Sequence, residues 1–200
     1  MPDQSMQKII LASQSPRRKQ LLEWAEVDFE IMVAATEESY PPGLLPGEIA
    51  LHIARDKAMV IRNKVLDSSD PLQKLMPILA ADTIVVLEND IIGKPKNRED
   101  AISILTRLAG HQHKVITGVV ILHKDKETGF ADVTEVTFHP LTAEQITFYV
   151  DKYQPYDKAG AYAIQEWIGV VGIKSINGDF YNVMGLPVSR VVQELEKLIG

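Results

Sequence analysis

The chain has 200 residues, 46% hydrophobic and 24% charged, enough apolar material for one globular core. Its formal net charge of −6, from 21 basic and 27 acidic residues, argues against nucleic-acid polymers as partners, because their binders need a basic excess to displace counterions. Without cysteine there is no disulfide, thiolate metal site or cysteine nucleophile. No apolar run approaches the roughly 20 residues that span a bilayer. Met1-Pro2-Asp3-Gln4-Ser5-Met6 lacks the basic and apolar plan of a signal peptide, so a cytoplasmic chain without membrane contact is expected, with residues 1–7 as a loose tail.

In chain order, Lys8 to Ala12 reads as a short apolar strand. Ser15 then caps a helix to about Ala25, with Pro16 at its first position, where a missing N–H does no harm. Phe29 to Ala34 reads as a second strand, and Glu37 to Gly47 as an irregular loop with three prolines. A second helix covers about Glu48 to Val65, and Asp67 to Pro77 is a polar connection with a composition compatible with disorder. Ile78 to Leu87 is an apolar strand interrupted by Asp82, and Glu88-Asn89-Asp90 turns the chain into Ile91-Ile92.

Asn97 caps a third helix that stops at Gly110. Val115 to Leu122 and Asp132 to Phe138 read as paired strands, and Thr142 with Gln145 forms a capping box for a fourth helix. Ile168 to Ile176 and Phe180 to Met184 flank Asn177-Gly178-Asp179 as a hairpin, and Pro187 opens an amphipathic helix to about Leu198. Helices and strands alternate early and hairpins follow, so the expected fold is α/β with a mixed sheet. His111-Gln112-His113 reads as a solvated junction, and Trp24 and Trp167 as core or interface residues.

Four stretches carry chemistry. In Ser13-Gln14-Ser15-Pro16-Arg17-Arg18, two arginines occupy a helix first turn that already carries about half a positive charge. That placement becomes favourable when an anion is bound by free N–H groups and guanidinium forks. Lys57 lies on the apolar stripe of the second helix, so it must snorkel to water or meet a negative partner. Asp82 places a carboxylate inside an apolar strand, where burial without a partner is costly. Its candidate partners are Lys94 of Gly93-Lys94-Pro95, as a salt bridge, or a metal shared with Glu37-Glu38, since hard divalent ions take one or two carboxylates plus phosphates. The small residues of Asp157-Lys158-Ala159-Gly160-Ala161 allow close approach to a ligand, and Gln165 could read a base edge. There is no Gly-x-x-x-x-Gly-Lys-Ser/Thr phosphate loop and no Gly-x-Ser-x-Gly elbow.

Taken in order, Leu11-Ala12-Ser13-Gln14-Ser15-Pro16-Arg17-Arg18, Ala54-Arg55-Asp56-Lys57-Ala58, Ala80-Ala81-Asp82-Thr83, Gly93-Lys94-Pro95, Asp157-Lys158-Ala159-Gly160 with Ile164-Gln165, Ile176-Asn177-Gly178 and Gly185-Leu186-Pro187 resemble the Maf family of nucleoside triphosphate pyrophosphatases. The resemblance runs from about Lys8 to the C-terminus. It implies one Maf-like domain over residues 1–200, with two lobes around a central cleft similar to the inosine triphosphate pyrophosphatases, often as a homodimer. It implies hydrolysis between the α- and β-phosphates with Mg²⁺ or Mn²⁺.

Asp82 matches the family's catalytic base, and Ser13, Arg17, Lys57 and Lys94 its phosphate-binding set. Arg18, Thr83 and Gln165 match the positions that mark the branch acting on dTTP and UTP. The metal-side carboxylates are Asp82 and Glu37, with Glu38 the alternative to Glu37. The other readings are the 7-methylguanosine triphosphate branch and a nucleotide-responsive regulator without catalysis. The connection Asp67 to Pro77 is longer than usual for the family.

Overall fold

The computed structural model describes residues 7–199. Residues 1–6 of the expected tail lie outside that range, whereas Gln7 is tied down, its side-chain amide donating to the Leu75 carbonyl at 2.9 Å. The strands are β1 (Ile9–Leu11), β2 (Phe29–Ile31), β3 (Ile78–Leu87), β4 (Asp90–Ile92), β5 (Gln112–His123), β6 (Lys126–Phe138) and β7 (Ile173–Asn177). The helices are α1 (Pro16–Trp24), α2 (Pro46–Asp67), α3 (Arg98–Leu108), α4 (Ala143–Tyr153), α5 (Trp167–Gly172), α6 (Phe180–Met184) and α7 (Val188–Ile199). The seven strands form one sheet in the order β2-β1-β3-β5-β6-β7, with β4 paired to β3. β1 is parallel to β2 and β3, whereas β4 is antiparallel to β3 and β7 to β6, so the sheet is mixed as expected. No helix among the described residues is long and apolar enough to cross a membrane.

The chain divides into two compact units. The first holds the chain up to Asp82, Thr117–Ala131 and everything from Gly185 onward. Its core joins Ile10 and Ala12 of the first strand region to Ala54, Ala58, Ile61 and Val65 of α2, with Ile78, Ala80, Val120 and Leu122 from the sheet. The apolar stripe of α2 therefore faces strands, and each fully buried isoleucine or leucine contributes about 1.5–3 kcal/mol. α2 begins earlier than its apolar pattern does, because Pro46 supplies a preset first turn and the Leu45 N–H is satisfied by the Glu48 carboxylate at 2.7 Å. Asp67 to Pro77 is held by hydrogen bonds within the segment and to β2. The Asp70 N–H donates to the Ser68 hydroxyl, and the Gln73 amide reaches Glu30 at 3.0 Å beside a 3₁₀ turn at Gln73–Leu75.

The second unit holds Thr83–Ile116 and Asp132–Met184. α3 and α4 pack together there, and Ile104, Leu105 and Leu108 of α3 and Ile146, Tyr149 and Val150 of α4 are buried. Both helices start as expected, with Asn97 accepting from the Asp100 N–H and Thr142 from the Gln145 N–H.

The hairpin expected around Asn177-Gly178-Asp179 is not formed. Ile168 to Gly172 is helical, β7 alone follows, and Phe180–Met184 is a helical turn. A short apolar run has no intrinsic preference between strand and helix, so local bonds decide. The Glu166 carbonyl accepts from Gly169 at 2.9 Å and Val170 at 3.3 Å, which opens α5. The Asp179 carboxylate accepts the Tyr181 N–H at 2.7 Å, and the Asn182 amide donates to the Val115 carbonyl and the Thr134 hydroxyl at 3.1 and 3.0 Å. Those bonds hold α6 against the sheet as a helix.

Two further expectations are corrected. His113 is buried, 1% exposed, between Phe138 and Tyr162, because β5 starts three residues earlier than its apolar run. Trp24 is 59% exposed, which removes the core reading and leaves the interface one. Trp167 packs edge-on against Phe148 with ring centres 5.0 Å apart.

Candidate active site

The first unit gathers most of the charged residues singled out by the sequence. β1 ends at Leu11, and the loop after it carries Ser13 into the start of α1. Ser15 caps that helix, its hydroxyl accepting the Arg18 N–H at 3.5 Å. The Ser13 hydroxyl accepts both the Ser15 N–H at 3.2 Å and the Arg18 guanidinium at 3.1 Å. Arg18 turns inward: it is 8% exposed, and its Nε donates to the Gly185 carbonyl at 2.7 Å. Loss of hydration pushes its pKa down, the carboxylates of Asp82 and then Glu38 acting the other way, with Arg17 adding to the depression. Arg17, the other first-turn arginine, is partly exposed.

Asp82 sits in β3, a strand buried along most of its length, and is itself 8% exposed. Its partner is Lys57, from the apolar stripe of α2, with Nζ 2.6 Å from Oδ1. The same ammonium lies 2.8 Å from Oε1 of Glu38. Lys57 therefore meets negative partners, and the Asp82–Lys94 salt bridge weighed from sequence is replaced by Asp82–Lys57, while Lys94 is exposed. α2 places Lys57 toward the sheet because Ile53 and Ile61, one turn away on either side, are both buried.

Glu37 is exposed, and it is Glu38 that bonds to Lys57. The two carboxylates that converge on the Lys57 ammonium are oxygen donors of the kind a hard divalent ion would take. Among the described residues no group of three or more His, Asp or Glu side chains is placed to hold a metal by itself.

Thr83, Lys94 and Gln165 belong to the second unit. Thr83 follows Asp82 in β3 and is partly exposed. The Gly93-Lys94-Pro95 segment is tied to the later motif, since the Gly160 N–H donates to the Gly93 carbonyl at 3.1 Å. Gly160 has φ of +73°, and a Cβ there would lie 3.0 Å from the Val85 side chain, so both conformation and space call for glycine. Gln165 is exposed at a turn.

Sequence reasoning gave Lys158 no role beyond its motif and gave Tyr149 and Glu166 none at all. Lys158 is 8% exposed, with Asp157 at 2.7 Å and Glu166 at 3.7 Å. Glu166 also accepts from the Tyr149 hydroxyl. Tyr149 falls on the buried stripe of α4 with Ile146 and Val150, and that periodicity was the available signal for its burial, though not for its hydroxyl's partners.

The family model described as Maf-like protein matches residues 8–198. The chain is similar to a protein from Cytophaga hutchinsonii named dTTP/UTP pyrophosphatase, 50% identical over 192 residues, covering 96% of this chain and 84% of the relative. Proteins of the same name from Parabacteroides distasonis and Phocaeicola vulgatus are 50% and 47% identical, covering 94% and 96% of this chain and 95% and 96% of the relatives.

Proposed function

The chain belongs to the Maf family, and from that premise we propose that it hydrolyses dTTP and UTP to the monophosphate and pyrophosphate. The observation that carries the reading is the buried Asp82 carboxylate in β3, paired through Oδ1 with Lys57 and otherwise without a protein hydrogen bond among the described residues. A protein that only bound triphosphate would gain nothing from a buried negative charge beside its cations, whereas a hydrolase needs a base.

In this reading the α1 N-terminus, Ser13, Arg17, Lys57 and Lys94 bind the phosphates, offsetting charge that would repel a nucleophile. Arg18 holds Ser13 through its guanidinium hydrogen bond and, with Thr83 and Gln165, contributes to nucleotide selection. Asp82 accepts a proton from water as the water oxygen bonds to the α-phosphorus. The bond from that phosphorus to the bridging oxygen breaks, and pyrophosphate leaves. Asp82 and Glu38, with Glu37 the neighbouring alternative, would hold Mg²⁺ or Mn²⁺. When bound, that ion supplies charge neutralisation at the phosphoryl oxygens.

The test is pyrophosphate release from dTTP, UTP, CTP, GTP and 7-methylguanosine triphosphate with either metal. Turnover confined to dTTP and UTP is the expected result. Preference for the methylated purine would move the chain to the other branch, and binding without turnover would make it a nucleotide sensor.

A further inference from the structure

The turn that carries Gln165 is held more firmly than a surface turn requires. The Glu166 N–H donates to the Ala163 carbonyl at 3.1 Å, closing a β-turn with Ile164 and Gln165 at its centre. Both ends of this turn bind one side-chain atom, the Tyr149 hydroxyl of α4. That oxygen accepts the Ala163 N–H at 3.1 Å and donates its proton to the Glu166 carboxylate. The other Glu166 oxygen lies 3.7 Å from the Lys158 ammonium. Behind the turn, a Cβ on Gly169 would fall 1.8 Å from the Ile164 carbonyl oxygen, so the backbone of α5 presses directly on it.

Tyr149 is 0% exposed, while Gln165 at the tip is exposed. Burying a hydroxyl, a carboxylate and an ammonium is unfavourable unless each is paired. Here all three are committed to fixing two residues, one of which offers an amide to its surroundings.

We propose that Tyr149 is a positioning residue for nucleobase selectivity, holding the Gln165 turn so that its amide meets the donor and acceptor edge of uracil or thymine. This deepens the reading above and rests on it. An amide makes two hydrogen bonds to an imide edge only when held to within about 0.5 Å, and a loosened turn spreads it over other positions. Tyr149→Phe keeps the ring and removes both bonds.

The test is kcat and KM for UTP, dTTP, CTP and GTP in wild type, Y149F, Glu166→Gln and Gln165→Ala. Y149F is expected to raise KM for UTP and dTTP about five- to tenfold, with kcat lowered less than about threefold and discrimination against GTP reduced. E166Q keeps an acceptor for the hydroxyl and is expected to retain most of the selectivity. If Q165A loses selectivity while Y149F keeps it, the positioning role is overturned and the base-reading role of Gln165 stands. If Q165A keeps selectivity, that reading of Gln165 fails and the positioning role fails with it. Should Y149F not fold, Glu166→Ala removes the other half of the same bond and is read in the same way.

Discussion

Lys57 and Lys158 have similar surroundings and opposite consequences. Each is a largely buried lysine with two carboxylate neighbours: Asp82 and Glu38 at 2.6 and 2.8 Å for Lys57, Asp157 and Glu166 at 2.7 and 3.7 Å for Lys158. Around Lys158 the inner carboxylate is closed off, because Glu166 is also bound by Tyr149, whose hydroxyl is bound in turn by the Ala163 N–H, while Asp157 faces solvent. Around Lys57 the arrangement stays open: Glu38 comes from an exposed loop, and Asp82 keeps an oxygen without a protein hydrogen bond among the described residues. A carboxylate with unused hydrogen-bonding capacity can accept a proton or ligate an ion, and a saturated one can only hold structure. What separates chemistry from architecture here is residual valence, not the number of charges.

The sharpest way to break this comparison is Asp82→Asn, expected to lower kcat by about a thousandfold with nucleotide binding retained; steady-state kinetics beside a binding titration reads both. Near-normal turnover would remove Asp82 as the base. Lys57→Met comes next, with kcat/KM expected to fall about a hundredfold as a phosphate-side cation is lost and two carboxylates face each other. Lys158→Met is its counterpart. It should lower unfolding free energy by about 3 kcal/mol in urea titrations, with kcat changed less than about threefold. If Lys158→Met instead abolished turnover, the two lysines would not differ in the way described.

The smallest effect concerns a buried group that belongs to neither charge cluster. His113 has its pKa pushed down to about 4 by burial, and its Nε2 lies 2.7 Å from the Tyr162 hydroxyl. The unfolded chain takes up this proton near pH 6.5 and the native state does not, so the contribution is complete above about pH 6.5 and is lost as pH falls toward 4. The loss is about 1 kcal/mol at pH 5.5 and approaches about 3 kcal/mol near pH 4. Urea midpoints of wild type and His113→Gln across this range should separate that part of the slope.

Much of the fold was legible because local rules acted alone. Ser15, Asn97 and the Thr142–Gln145 pair each mark a helix start through bonds spanning three residues, and all three helices begin there. β3 runs from Ile78 to Leu87 as its apolar pattern on either side of Asp82 and Thr83 suggests. The second half of the chain was harder. Ile168 to Gly172 and Phe180 to Met184 are strand-like in composition but helical in place, because Glu166, Asp179 and Asn182 make bonds that no periodicity reveals. In the candidate site, Asp82 and Lys57 each announced the need for a partner by lying on an apolar element. Lys94, near in sequence, was the natural guess for Asp82, and the packing of α2 on the sheet supplied Lys57 instead.

By itself, the sequence determined the helix starts, the mixed α/β class, the buried carboxylate, the inventory of cations and the family to which they belong. These depend on contacts within a few residues, or on a pattern of residue types. Only the tertiary structure decided which lysine meets Asp82, that Arg18 turns inward to Ser13 and Gly185, and that the Tyr149 hydroxyl bonds to Ala163 and Glu166 on either side of Gln165. Apart from Arg18 with Ser13, those pairings join residues well separated in the chain, and the geometry of packing, which places one side chain within hydrogen-bond reach and another outside it, is written in no local stretch of the sequence.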